Sequence, residues 1–269
     1  MTPTAGTGGP AWAGRVARTL GPLTEVRPLG TRIWRATAGG RRLVVKTGPG
    51  VGDEAEGLRR LAGARGAPPV PAVALAEDGL LATSWVEAGE RTPAHEEALG
   101  RGLAALHAAT WTAWGGGSAW IGDCPVDPTP RGDAPTFYGA RLSELAGRCG
   151  LASEVAPLAG RLDRLLPDGP PCLVHGDLWW GNVLWGADGR PWLIDPSAHG
   201  GRPEEDLAML GLFGPVPRRT LDAYRDRLDP DDGWEERAAL LTLVPLLVHT
   251  VLFGGGYRAQ ALAVVRRFS

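Results

Sequence analysis

The segment LVHGDLWWGNVLWGADGRPWLIDP, residues 173–196, holds the densest set of side chains that could carry out chemistry. It contains an HxDxxxxN pattern formed by His175, Asp177 and Asn182, and Asp195 follows 13 residues later, after a short apolar run. A hairpin turning at Ala-Asp-Gly would bring the Asp177–Asn182 loop and Asp195 to the same end of a sheet. Phosphoryl transfer needs such a group: one carboxylate accepts the proton of the attacking hydroxyl, while an amide oxygen and a second carboxylate hold Mg²⁺.

The spacing therefore predicts Asp177 as the catalytic base and Asn182 with Asp195 as Mg²⁺ ligands. His175, two residues before the base, is expected to support the loop. The alternative is that Asp177 and Asn182 cap turns and that Asp195 ends a strand. A lone HxD or Asp-Pro would favour that alternative, but the joint spacing and the hairpin favour the catalytic interpretation.

Lys46 is the single lysine of the chain, beside 27 arginines. A compact ammonium on a flexible stem can reach ATP phosphates from a strand, where a planar guanidinium would not fit the same space. The run LVVK places Val44 and Lys46 on one face of the third predicted strand, which is the usual context of a kinase lysine. The alternative is a solvated surface lysine.

A carboxylate should orient this lysine, and DEAEGLRRL offers two. Glu54 lies four residues before Leu58 and shares the inward face of the predicted helix, for which Asp53 is the candidate cap. Glu56 falls nearer to arginines and is expected to be a solvated ion-pair partner. The periodicity favours Glu54 as the partner of Lys46.

Two further residues are candidates for nucleotide binding. Gly30 lies in the turn before the second strand, where backbone amides could cover the phosphates, although the segment is far from GxGxxG. Trp85 belongs to the apolar run Leu80–Val86, which is expected to form the back of an adenine pocket.

The element order predicts an α+β protein with two lobes. The first third reads as a short helix, three strands, a helix and two strands, whereas helices dominate after Gly89, interrupted by a Trp-, Gly- and Pro-rich loop at 111–135. We expect a small β-rich N-lobe of residues 1–88 and a larger, mostly helical C-lobe of residues 89–269, with a cleft between them.

Composition excludes several classes of function. A formal net charge of −2 gives no basic field for nucleic acid or an anionic membrane. Three separated cysteines indicate neither a disulfide framework nor a zinc site. The N-terminus lacks the pattern of a signal peptide, and the apolar stretch 238–253 is short for a membrane span and is expected to be a buried helix. A cytoplasmic protein, monomeric and without membrane or nucleic-acid partners, is expected.

Three segments resemble the fructosamine kinase (ketosamine-3-kinase) family, relatives of aminoglycoside and choline kinases. They are DEAEGLRRLAGA, the run from LVHGDLWWGN to LGLFG, and HTVLFGGGYRAQALAVVRRF. The resemblance covers about residues 25–269, with 111–170 matched poorly, and it implies a two-lobed protein-kinase-like fold that uses ATP and Mg²⁺. It also implies that Lys46 and Glu54 clamp the ATP phosphates.

The resemblance extends to residues around the acceptor. Trp179 and Trp180 directly follow the base, so either one is a candidate wall for an acceptor sugar or an aromatic that packs the loop. Asp206 is expected to brace the catalytic loop, with a helix cap as the alternative. After IDP the chain departs from the family and has SAHGGRPEED, which makes His199 a candidate substrate residue. His249 and Tyr257 match positions near the acceptor end of the family, with buried structural roles as the alternative.

The resemblance implies transfer of a phosphoryl group from ATP to the C3 hydroxyl of a ketosamine, such as a ribulosamine or fructosamine, free or protein-bound, in protein repair. An aminoglycoside, choline-type or other sugar kinase of the same fold is the alternative; a cationic antibiotic would need an acidic pocket, for which Glu204, Glu205 and Asp231-Asp232 are the candidates. A non-catalytic nucleotide-binding protein is the second alternative, against which the intact Lys46, Asp177, Asn182 and Asp195 argue.

Overall fold

The computed structural model describes residues 10–167, 169–228 and 232–268. The strands are β1 (Leu23–Gly30), β2 (Ile33–Ala38), β3 (Arg41–Thr47), β4 (Val73–Glu77), β5 (Leu80–Ser84), β6 (Trp120–Ile121), β7 (Cys124–Pro125), β8 (Cys172–Val174), β9 (Val183–Trp185), β10 (Pro191–Leu193) and β11 (His199–Gly201). The helices are α1 (Ala13–Leu20), α2 (Val51–Gly63), α3 (Pro93–His107), α4 (Ala134–Arg148), α5 (Ala152–Ala159), α6 (Leu162–Leu165), α7 (Pro203–Gly211), α8 (Arg218–Arg225), α9 (Trp234–Leu241), α10 (Leu243–Phe253) and α11 (Gly256–Phe268).

The first five strands form one antiparallel sheet in the order β1-β2-β3-β5-β4. Alternation along β3 buries Leu43 and Val45 in the apolar core under α1 and leaves Val44 and Lys46 on the other face. Lys46 pairs with Ile33 of β2 on one side and with Leu81 of β5 on the other. The central strand therefore holds the lysine rigidly between two neighbours.

Helix α2 begins at Val51, after Gly50 in a left-handed conformation with φ of 80°. The prediction that Asp53 caps this helix is wrong. Asp53 lies in the first turn, and its Oδ2 accepts a hydrogen bond of 2.8 Å from the backbone N–H of Ala119. The carboxylate thus ties α2 to a distant loop.

An apolar core joins α2 to the helical part of the chain. Leu58 and Leu61 of α2 belong to the same buried cluster as Leu99 and Leu103 of α3 and Leu173 of β8. Because this core crosses from the sheet to the helices, it positions α2 relative to the elements that follow. A separate core fills the space among α4, α5, α10 and α11.

The helical segment after α4 is interrupted. It forms α5 and α6, with a break at Gly160-Arg161. Glycine has low helix propensity, and Pro157 inside α5 removes a backbone donor, so the break lies where the helix is weakest.

The most apolar helical segment runs from Trp234 to Phe253, through α9 and α10. Its 20 residues, with a mean hydropathy of 1.5, make it long and apolar enough to cross a membrane. The prediction that the apolar stretch, 238–253, is too short for a membrane span was therefore wrong about its length. However, 56% of the segment is buried within the protein. Leu243, Leu246 and Leu247 lie in the core among the C-terminal helices, which is the place expected for a core helix of a soluble protein.

The loop predicted at 111–135 lies against both halves of the molecule. It contains the hairpin β6–β7, whose strands pair through Ile121 and Cys124. Besides the contact with Asp53, the carbonyl of Trp120 accepts a hydrogen bond of 2.5 Å from Ser197 Oγ. The hairpin is therefore held from the sheet side and from the segment after Asp195.

Candidate active site

Lys46 is the centre of an ion-pair triad. Its Nζ donates a hydrogen bond of 2.7 Å to Glu54 Oε1 and another to Asp195 Oδ1. Glu54 lies in the first turn of α2 on the face toward β3, whereas Glu56 points away and pairs with Arg60 at 2.8 Å. The triad therefore consists of one residue from each of three elements: β3, α2 and the end of β10.

The Asp177–Asn182 loop is closed by its own hydrogen bonds. Asn182 Nδ2 donates to the backbone carbonyl of Asp177 at 2.8 Å and to its Oδ2 at 3.3 Å. Because the amide hydrogens point at Asp177, the amide oxygen of Asn182 is the atom left to act as an acceptor. A short 3₁₀ turn at Trp180–Asn182 then leads into β9.

Asp206 braces this loop from α7. Its Oδ2 accepts a hydrogen bond of 2.7 Å from the backbone N–H of His175, and its Oδ1 accepts one of 2.9 Å from that of Gly176. His107 Nε2 lies 3.1 Å from Asp206 Oδ2, and the side chains of His107, His175 and Asp206 are buried. Helix α7 begins at Pro203 after Arg202, so Asp206 is inside the helix and is not its cap.

Glycine is required at the turn between His175 and Asp177. Gly176 has φ of 77°, and a Cβ there would lie 2.3 Å from the carbonyl oxygen of Ser197. His175 Nε2 also contacts the carbonyl of Ile194 at 3.0 Å. The catalytic loop and the segment around Asp195 are thus in direct contact through backbone and side chain.

Asp195 has a backbone conformation that L-residues rarely adopt. Its φ is 56°, and among the described residues it is the one non-glycine with positive φ. Strand β9 pairs with β10, and the Ile194 N–H extends this pairing with a hydrogen bond of 3.0 Å to the Asn182 carbonyl. Asp195 therefore lies beside Asn182. A left-handed residue held in this way is typical of a functional site, where the surrounding structure supports the strain.

Burial and charge change the acidities of the site. Burial, together with the nearby charge of Asp195, raises the pKa of Asp177 to about 7, although the hydrogen bond from Asn182 opposes the rise. Burial raises the pKa of Glu54 also, against the effect of Lys46. Burial alone would lower the pKa of Lys46, but the carboxylates of Asp195 and Glu54 outweigh it and raise that pKa.

Two cavities meet at Asp177. The first, of about 410 Å³, is lined by the triad, Asn182 and the turn around Arg32. The second, of about 360 Å³, is lined mainly by apolar side chains of α10. Both cavities share four residues: Gly122, Asp123, Asp177 and Trp179. The Asp177 residue therefore borders both cavities.

The first cavity is lined by five of the residues predicted from the sequence: Lys46, Glu54, Asp177, Asn182 and Asp195. A sixth predicted residue, Trp179, lines both cavities. His249 lines the second cavity and stacks on Tyr257 with ring centroids 4.8 Å apart.

Four predicted residues lie elsewhere. Gly30 is exposed at the end of β1, and its neighbours Thr31 and Arg32 line the first cavity instead. Trp85 contacts Glu87 and Arg35 and lines neither of the two cavities.

Trp180 packs against Trp185 with ring centroids 6.2 Å apart, beneath the guanidinium of Arg91. His199 is buried in β11, with Nε2 3.2 Å from Glu205 Oε1, and also lines neither cavity. The structure thus assigns Trp180 and His199 packing contacts, since neither side chain reaches the reaction site.

The sequence analysis did not single out Arg32, Trp120 and Asp123, which line the first cavity. Trp120 and Asp123 come from the hairpin β6–β7, and Arg32 comes from the turn between β1 and β2. Their local sequence carries no motif, because their position depends on contacts made across the cleft. The Gly-Asp turn was the one signal available, and it indicates a turn without saying where the turn lies.

The fold and the site together define a protein-kinase-like phosphotransferase, a class that uses ATP. A choline kinase from Streptococcus pneumoniae has the same fold, with a TM-score of 0.62 at 15% identity over 94% of this chain and 95% of that one.

The chain belongs to the fructosamine kinase family, whose sequence profile matches residues 50–268. The crystal structure of a candidate fructosamine-3-kinase from Thermobifida fusca superposes with a TM-score of 0.87 at 38% identity, over 95% of this chain and 97% of that one. A protein from Synechocystis described as a ketoamine kinase is 34% identical over 202 residues, which are 70% of this chain and 66% of that protein.

Proposed function

We propose that the chain is an ATP-dependent kinase that phosphorylates the C3 hydroxyl of a ketosamine, such as a ribulosamine or a fructosamine. The observation that carries this proposal is the meeting of two cavities at Asp177. The first cavity has the lysine and oxygen ligands suited to a nucleotide, and the second has the apolar walls suited to an organic acceptor.

In the proposed reaction Asp177 is the base. A carboxyl group with a pKa of about 7 is largely unprotonated at slightly alkaline pH and still basic enough to accept a proton from the attacking hydroxyl. Its place where the cavities join lets one carboxylate contact the acceptor while the phosphate donor lies on the other side. Lys46 supplies positive charge to the phosphates, and Glu54 holds its ammonium in position.

The donor set suits Mg²⁺. Asn182 presents its amide oxygen, and Asp195 has a second carboxylate oxygen beyond the one that accepts from Lys46. Among the described residues no group of three His, Cys, Asp or Glu side chains could hold a metal, but Mg²⁺ bound with a nucleotide takes one or two protein oxygens and completes its shell with phosphates and water. When bound, Mg²⁺ would neutralise charge on the phosphates.

The second cavity has an aromatic wall suited to a sugar acceptor. Trp179 forms part of its wall, at an edge-to-face distance of 6.0 Å from Phe213. The acidic residues that the sequence offered for an aminoglycoside do not line the two cavities: Glu204 and Glu205 are buried, the first paired with Arg202 and the second with Tyr138. Asp231, the other expected contributor, lies outside the described residues, and its neighbour Asp232 lines neither cavity.

Phosphorylation at C3 makes a ketosamine adduct prone to elimination, so we propose protein repair as the physiological role. We also propose a two-lobed division at residues 88 and 89, with residues 1–9 of the first lobe outside the described part. We also propose a monomer located in the cytoplasm; the three free thiols support the cytoplasmic location.

The test is ADP release with Mg²⁺ and ATP against a panel of acceptors: a ribulosamine, a fructosamine, an aminoglycoside and choline. We expect turnover with the ketosamines and background rates with the others. Turnover confined to the aminoglycoside or choline would overturn the acceptor assignment. Failure to bind Mg²⁺-ATP in calorimetry would overturn the kinase assignment itself.

A further inference from the structure

The carboxylate of Asp123 lies at the junction of the two cavities, in the turn of the hairpin β6–β7. It lines the first cavity beside Asp177 and Trp179, and it lines the second cavity beside the same two residues. Its side chain is 70% exposed, so a ligand in either cavity could reach it.

The second cavity offers an acceptor few charged partners. Its other walls are chiefly apolar, from Ile121, Met209, Pro245, Val248, Leu252 and Phe253. His249 is the remaining titratable side chain besides the two aspartates, and burial lowers its pKa, so that it is neutral at pH 7. Since Asp177 is engaged with the reacting hydroxyl, Asp123 is the other carboxylate of this cavity and could bind another part of the acceptor.

In the structure this carboxylate pairs with Arg32. Arg32 Nη2 donates to Asp123 Oδ1, which links the turn between β1 and β2 to the hairpin. Both side chains are exposed to solvent, at 42% and 70%, and an exposed ion pair of this kind contributes little to stability. A ligand cation can therefore displace the guanidinium at little cost, and Arg32, which itself lines the first cavity, has phosphates there as an alternative partner.

We propose that Asp123 recognises the protonated amine of the acceptor and is a specificity-determining residue for the reaction. This inference rests on the proposed function. In a ketosamine the amine is attached to C1, two carbons from the C3 that carries the reacting hydroxyl. One acceptor molecule thus carries a hydroxyl for Asp177 and a cation for Asp123, and these two carboxylates line the same cavity. A neutral sugar of the same shape lacks the second contact.

The test compares two acceptors in the wild type and in Asp123→Asn. One is 1-butylamino-1-deoxyfructose, which carries the cation, and the other is 1-O-butylfructose, in which an ether oxygen replaces the nitrogen. A hydrogen bond to a charged group contributes roughly 1.5–3 kcal/mol, so the wild type should prefer the amine in kcat/KM by about tenfold to a hundredfold. Asp123→Asn should lose that preference, because its KM rises for the amine by more than for the ether.

Glu97→Gln is the matched control, because it removes one carboxylate from an exposed pair with Arg101, away from both cavities. It should keep the wild-type preference. Arg32→Gln should keep the preference as well, since it removes the ion pair but leaves the carboxylate. Binding of the amine by calorimetry without nucleotide should weaken in Asp123→Asn and should not weaken in Arg32→Gln.

The outcomes separate this inference from the proposed function. If the wild type phosphorylates neither the fructose derivatives nor a ribulosamine, the proposed function fails. If it phosphorylates the amine and Asp123→Asn keeps the full preference, or lowers kcat/KM equally for both acceptors, the assignment of Asp123 fails while the proposed function stands. If Arg32→Gln loses the preference for the amine as fully as Asp123→Asn does, the preference depends on the ion pair and not on the carboxylate alone. That result would also overturn the assignment of Asp123.

Discussion

Lys46 and Asp195, 149 positions apart in the sequence, share a hydrogen bond across the cleft between the sheet and the helices. Lys46 contributes from the central strand β3, and Asp195 contributes from the end of β10 in a left-handed conformation. Glu54 completes the triad from α2. Because three elements must be in place for this contact, it reports whether the two halves of the molecule are correctly assembled.

Removal of the base should separate chemistry from binding. We expect Asp177→Asn to lower kcat by about 10²–10⁴-fold, because general-base catalysis contributes on that order. Nucleotide affinity should change little, since Lys46 and Glu54 remain. ADP release with a ketosamine measures the first quantity and calorimetry with Mg²⁺-ATP the second; near-normal turnover would contradict the assignment.

The orienting carboxylate can be tested against a neighbour on the same helix. Glu54→Gln should raise KM for ATP by roughly tenfold or more, because it weakens a part-buried, charge-assisted hydrogen bond to Lys46. Glu56→Gln removes the same charge from an exposed pair with Arg60 and should leave KM unchanged. Equal effects of the two variants would show that Glu54 has no specific role.

The pH dependence of turnover should follow Asp177. Its pKa is raised to about 7 by burial, so the fraction of unprotonated base and hence kcat/KM should rise between pH 6 and 8, with its midpoint near 7. Steady-state rates at constant ionic strength measure this, with ATP affinity over the same range as the control. A flat profile would assign the base elsewhere.

The same raised pKa predicts an effect on stability. The protonated Asp177 carboxyl is favoured in the folded protein, so its contribution is complete below the ordinary pKa of 3.8 and is lost as the pH rises through about 7. Asp177→Asn, which stays neutral, should therefore gain in Tm over the wild type as the pH goes from 5 to 8. Melting curves of both proteins check this, and a constant difference would contradict it.

The brace of the catalytic loop should matter for stability more than any exposed aspartate. Asp206→Asn removes a buried charge that accepts from His175 and Gly176 and lies beside His107, which should lower stability by about 3 kcal/mol. For a chain of this size we expect a fall in Tm of roughly 6–12 °C. Asp188→Asn, in the exposed turn between β9 and β10, is the control and should change Tm little.

Filling the second cavity should act on the acceptor alone. Leu252→Trp adds bulk to a wall of that cavity, which Leu252 shares with Phe253, and it does not line the first cavity. We expect KM for the ketosamine to rise about tenfold or more, while KM for ATP stays constant. A parallel rise in both constants would indicate a general distortion of the site.

Much of the site was predictable from the sequence because its residues have short-range reasons for their positions. The alternation in LVVK and the helical periodicity around Leu58 place Lys46 and Glu54 on facing surfaces. The HxDxxxxN spacing and the following hairpin bring Asp177, Asn182 and Asp195 together. The order of three strands, a helix and two strands before the helical region was likewise confirmed.

Other assignments failed where a residue's surroundings come from remote parts of the chain. Asp53 has the residue type of a helix cap, but its carboxylate accepts a hydrogen bond from the backbone N–H of Ala119 in a distant loop. His199 follows Asp195 closely in sequence, yet β11 pairs with β8 and places the His199 side chain in the interior, near Glu205. Trp180 is adjacent to Trp179, but the 3₁₀ turn directs its side chain away from the cavities, where it packs against Arg91 and Trp185.

The sequence by itself determined the kind of chemistry, since one lysine, two carboxylates and an amide at these spacings suit phosphate and Mg²⁺, and local periodicity decides which faces they occupy. The tertiary structure alone decided what surrounds the acceptor. The hairpin β6–β7 and helix α10 are distant in sequence and carry no motif, so Asp123 and the apolar wall of the second cavity come together through packing across the molecule. Local sequence encodes backbone conformation and burial, whereas the shape of a cavity depends on how remote elements pack.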